Sequence, residues 1–229
     1  MQSGSELVLM STLATMVISL IVASYLIRLW YHQENRLLTD LPLVFSIAMI
    51  SNAINLVMIM LPIVWSFTPS MEYFRIRSMV IGGSVVPILG LMFQIWLPSI
   101  KKYHNRLVLL FVLYWGIIAT FGRTQGFIMM MTIPLILASG IAIIATFIVT
   151  WKTGRLKEIR SDLLIISTFF SMASQVFRMQ LVSTSLFFVP DLLLMISFVL
   201  IGVGIINPWY NEDKVRQEHG QDVEISVPI

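Results

Sequence analysis

Seven apolar runs, each separated from the next by a polar break, constrain this chain more than any other feature. They lie at about 6–29, 41–65, 76–98, 106–122, 127–150, 162–181 and 187–206. A helix needs about 20 mostly apolar residues to cross a hydrocarbon core of roughly 30 Å. The fourth run, which stops at Gly122-Arg123, is the shortest and forms a tight hairpin with the fifth. Only helices or closed barrels satisfy their backbone polar groups in lipid, and continuous apolar runs lack the alternation of barrel strands. The expected fold is therefore all-α: a polytopic seven-transmembrane-helix bundle over 1–210, followed by a flexible tail over 211–229. Composition agrees, with 57% hydrophobic and 12% charged residues. The opening MQSGSELVLM carries no basic segment, so the first run is read as a retained span and not as a cleaved leader.

The basic residues supply an orientation. Lys and Arg accumulate in the cytoplasmic connections of polytopic proteins. Of the fifteen, eleven alternate onto one side: Arg28 and Arg36; Lys101, Lys102 and Arg106; Lys152, Arg155, Lys157 and Arg160; Lys214 and Arg216. The other four are Arg75, Arg77, Arg123 and Arg178. The expectation is an N-terminus outside, a C-terminus in the cytoplasm, and a multi-pass protein of the cell membrane. Trp and Tyr cluster at the run ends, where amphipathic rings sit at the headgroups.

Arg178 lies inside an apolar stretch, in S-Q-V-F-R-M-Q at 174–180. Sixteen residues after Asp162, it falls roughly 24 Å along its helix, near the outer face. Two readings compete. In the first, Arg178 pairs with Asp191, which opens the next helix across a short turn. In the second, Arg178, Arg75 and Arg77, with Arg123 nearby, converge on an outward cavity for an anion or a lipid headgroup, since guanidinium forks suit carboxylate and phosphate. The structural pair is preferred. Deeper in the membrane, Ser51, Asn52 and Asn55 of the second run and Gln175 of the sixth fall at similar depth. They are expected to form a polar network that glues helices together. Pro87 and Pro134 are expected helix kinks. Gly82, Gly83, Gly140, Gly202 and Gly204 permit close helix approach.

The chemistry the chain lacks is equally informative. It contains no cysteine, and its three histidines (32, 104 and 219) fall outside the runs, so neither an intramembrane metal site nor bis-histidine haem is expected. Its five lysines all lie on the basic side, leaving none in the last helix for a retinal Schiff base. N-P-W-Y at 207–210 is one residue short of the receptor motif N-P-x-x-Y. No cofactor and no catalytic residue is expected. The basic loops attract anionic lipid and are suited to dock an acidic partner. The leading expectation is a non-catalytic accessory or scaffold subunit of a larger membrane protein complex. Its partners would be lipids and other subunits or copies of itself, with no nucleic acid. The alternatives are a seven-helix sensor for an external anionic ligand or lipid, and a small-solute transporter lined by Ser51, Asn52, Asn55 and Gln175.

Overall fold

A computed structural model describes residues 2–33, 36–37, 40–154, 159–181 and 186–208. Among them are seven α-helices and no strand: α1 (Gln2–Tyr31), α2 (Leu41–Val64), α3 (Met71–Trp96), α4 (His104–Phe121), α5 (Gln125–Thr153), α6 (Ser161–Gln180) and α7 (Val189–Ile206). A 3-10 turn, Pro98–Tyr103, joins α3 to α4. Six of the helices are long and apolar enough to cross a membrane; α6 is the one that falls short. The chain is a helical, multi-pass membrane protein. The expected tail, 211–229, lies outside the described residues, as do Arg155 and Lys157.

The helix start that differs most from expectation is that of α3, where a side chain caps the first turn. α3 begins at Met71 and not near 76, because the Ser70 hydroxyl accepts from the Tyr73 amide at 3.2 Å. Thr124 does the same for Phe127 at the start of α5. Such caps satisfy amides that have no intrahelical partner, so a helix extends beyond its apolar part.

The helices form a ring in the order α1, α2, α3, α5, α6, α7 and back to α1, and α2 also touches α7. α4 stands outside this ring, leaning on α3 and to a lesser degree on α5. The main core runs through the ring, with Leu26, Met49, Leu56, Phe147, Leu164 and Phe198 among its buried members. A smaller cluster seats α4: Trp115 and Ala119 against Val85 and Leu89. There Trp115 covers Gly82, where an added Cβ would meet the indole at 2.7 Å, and its Nε1 donates to the Ser78 carbonyl at 2.7 Å.

Lipid gives no hydrophobic drive between helices, so contact relies on close packing and hydrogen bonds. The α6–α7 interface shows how. The Arg160 amide donates to Gly204 O at 2.9 Å, Ser197 Oγ to Ser167 O at 2.8 Å, and Ser174 Oγ to Pro190 O at 2.7 Å. Each step of seven residues along α6 is matched by seven in reverse along α7. The two helices are thus antiparallel in a heptad register, set by small residues that bring the backbones together. On α1, Thr12, Thr15, Ser19, Ala23 and Leu26 recur at spacings of three and four and are almost fully buried. Ser19 Oγ donates to Met49 O of α2 at 2.8 Å.

Prolines create further links. Pro62 lies inside α2 and has no N–H for the carbonyl four residues back, that of Met58. The Tyr73 hydroxyl of α3 donates to that carbonyl instead. Pro87 and Pro134 also lie inside α3 and α5, as expected.

Candidate functional site

Arg77, Arg178 and Asp191 lie at the end of the bundle where α1 begins. Arg178, near the last turn of α6, is paired through Nη2 with Oδ1 of Asp191 in the first turn of α7. Only 14% of the arginine side chain and 2% of the aspartate side chain are exposed. The other carboxylate oxygen accepts from Thr12 Oγ1 at 2.6 Å and Ser11 Oγ at 3.0 Å, and Thr15 Oγ1 reaches the Asp191 carbonyl at 3.1 Å. The pair therefore fastens three helices. Pairing and hydroxyl donors together offset the cost of burying the carboxylate. Sequence reasoning identified the two ions but missed the α1 hydroxyls. Their spacing of three and four was the available signal.

Arg77 of α3 points into the same region. Its Nε donates to Asn55 Oδ1 of α2 at 2.9 Å, and its charge is near enough to that of Arg178 for the two to repel. Arg75 does not join them. Two residues turn a helix by about 200°, and Arg75 Nη2 instead donates to Gly122 O at 3.0 Å, holding the α4–α5 turn against α3. Arg123, on that turn, is exposed. Of the four outer arginines, Arg77 and Arg178 converge while Arg75 and Arg123 stand apart.

The expected amide network is divided as well. Asn55 serves Arg77, the Asn52 side-chain amide donates back to Ala48 O at 3.0 Å, and Ser51 Oγ fills the space beside Gly83 of α3. Gln175 is exposed, and among the described residues no hydrogen bond joins it to these three. Asn52 instead lines a cavity of about 80 Å³ bordered by residues of α2, α3, α5, α6 and α7, with Ile88, Ile143, Ser171 and Phe198 among its walls.

The opposite end carries the basic loops. Lys102, Arg106 and Lys152 are exposed, and the Arg106 guanidinium lies 5.7 Å from the Tyr103 ring centre. Lys101 lies on the 3-10 turn, with its side chain outside the described residues. Arg160 makes a two-pronged pair with Asp162, at 2.9 and 2.6 Å. His104, expected in a polar connection, is buried as the first residue of α4, and its Nε2 donates to Leu97 O at 2.8 Å. Among the described residues no cluster of His, Asp or Glu is arranged to hold a metal ion. Comparison with protein-family profiles, curated proteins and solved structures finds no match to this chain.

Proposed function

We propose that this protein is a non-catalytic receptor of the cell membrane that binds an external anionic group at the end of the bundle where α1 begins. The observation that carries the reading is that Arg77 of α3 and Arg178 of α6 lie near enough to repel, while the one carboxylate there, Asp191, is paired with Arg178. Asp191 is already engaged by Arg178, Thr12 and Ser11, and Arg77 has the neutral Asn55 as its partner. One positive charge in a low-dielectric interior is thus left without a counterion among the described residues, and an incoming anion would supply it. The basic loops at the other end, held toward the cytoplasm in the expected orientation, would contact anionic lipid and a separate signalling partner. The test is thermal unfolding in nanodiscs of zwitterionic lipid, with and without acetate or phosphate. A rise in the midpoint for the native protein that Arg77→Gln abolishes supports the reading. Equal responses from both proteins overturn it.

A second reading, an accessory subunit of a larger membrane complex, draws on α4. This helix stands outside the ring and presents Leu109, Leu113 and Ile117 outward beside Gly116, where an added Cβ meets nothing within 4 Å. Native mass measurement after gentle extraction separates the two, since the subunit reading requires stoichiometric copurifying chains.

A further inference from the structure

The cavity beside Asn52 is bordered by two helices that do not otherwise meet. Asn52 lies halfway along α2 and Ser171 halfway along α6, and both line the cavity together with Thr168 of α6. Among the described residues α2 and α6 have no close backbone approach. No charged residue and no histidine lines the cavity, and neither Arg77 nor Arg178 borders it. The rest of the wall is mostly apolar, with Phe45 from α2, Ile88 from α3 and Phe198 from α7.

A purely apolar cavity stays dry, whereas one with two to four hydrogen-bonding groups takes water. The polar groups decide here. Serines of these helices commonly satisfy themselves on the preceding turn: Ser46, Ser139 and Ser167 donate to the carbonyls of Leu43, Ile136 and Leu164 at 2.7, 2.7 and 2.8 Å. Ser171 has no such bond among the described residues. Asn52 uses one N–H on Ala48 O at 3.0 Å, and its second N–H and its Oδ1 have no partner among the described residues. Thr168 Oγ1 donates to Leu164 O at 2.8 Å and can still accept. Midway along a span no bulk water reaches such groups, so they call for an occupant that both donates and accepts. With no charge in the wall, that occupant is neutral. A volume of about 80 Å³, at roughly 30 Å³ for each molecule, holds about two or three waters.

We infer that this cavity is a hydration site, in which about two or three ordered waters bound to Asn52 and Ser171 join α2 to α6 at mid-membrane. The inference stands independently of the anion-receptor reading. Crystals of the full chain grown in lipidic mesophase test it, at a resolution that shows ordered water, with and without xenon under pressure. Xenon enters dry apolar cavities. In the native protein the expected map has solvent peaks within roughly 2.7–3.2 Å of Asn52 Oδ1 and Ser171 Oγ and no xenon there. Asn52→Leu with Ser171→Ala removes two of the three polar side chains, so the peaks should vanish and an anomalous xenon peak should take their place. If the double variant fails to crystallise, Ser171→Ala alone should lose the peak at position 171 and keep the one at Asn52. A native cavity that takes up xenon, holds an acyl chain or shows no density overturns the inference. So do solvent peaks that persist unchanged in the variants.

Discussion

Replacing Arg178 with methionine isolates the energetic role of the buried ion pair. The substitution keeps an unbranched apolar stem and removes the guanidinium from a carboxylate that is 2% exposed. Asp191 would retain the Thr12 and Ser11 hydroxyls, at 2.6 and 3.0 Å, and no cation. Breaking a buried pair by removing one partner costs about 3–5 kcal/mol, whereas replacing both partners with apolar groups is often neutral or better. Arg178→Met and Asp191→Leu should therefore each destabilise by about 3 kcal/mol or more, while the double variant returns to within about 1 kcal/mol of the native protein. Thr12→Val, which removes one donor to the charged group, should cost about 1.5 kcal/mol. The assay is reversible unfolding in mixed detergent–SDS micelles, followed by tryptophan fluorescence. Additive losses in the double variant, or a loss under about 0.5 kcal/mol for Arg178→Met against the roughly 3 kcal/mol expected, would refute the claim that the pair is largely buried.

Other interfaces give independent tests in the same assay. Gly82→Leu places side-chain atoms where the Trp115 indole lies; it should cost about 1–3 kcal/mol and shift tryptophan emission as α4 loosens. Tyr73→Phe leaves the Met58 carbonyl, orphaned by Pro62, without its donor, with an expected loss of about 1–3 kcal/mol. At the α6–α7 seam, Ser197→Ala removes one interhelical hydrogen bond and should cost only about 0.6 kcal/mol. Gly204→Leu should cost more, since a Cβ there already meets Arg160 O and Leu163 Cβ at 3.3 Å.

Much of the architecture was legible because the seven apolar runs are continuous and alternate with polar connections. Helix starts were less so. Hydropathy reports where lipid begins, while Ser70 and Thr124 determine where α3 and α5 begin. The order of helices around the ring depends on which stripes meet, and connection lengths alone do not encode that. The heptad of small residues at 167 and 174 against 190, 197 and 204 was written in the chain, yet serine and glycine are common enough in apolar helices to pass unnoticed. At the site, Arg178 and Asp191 were legible as a pair because a short turn joins their helices. The helical turn between Arg75 and Arg77 already argued that they face different ways. The α1 hydroxyls were hard to single out, because Ser and Thr in a helix can satisfy themselves on the preceding turn, as Thr15 also does with Ser11 O at 2.8 Å. Gln175 was assigned to the amide network by depth alone, and depth does not establish contact.

The central claim is that Arg77 and Arg178 together form an anion site. Crystals of the full chain grown in bromide and measured at the bromine absorption edge test it most directly. The account requires an anomalous peak between the two guanidiniums in the native protein and none there in Arg77→Gln. A native map with no peak at that position, Arg178 bound to Asp191 and Arg77 to Asn55 as described, would contradict it.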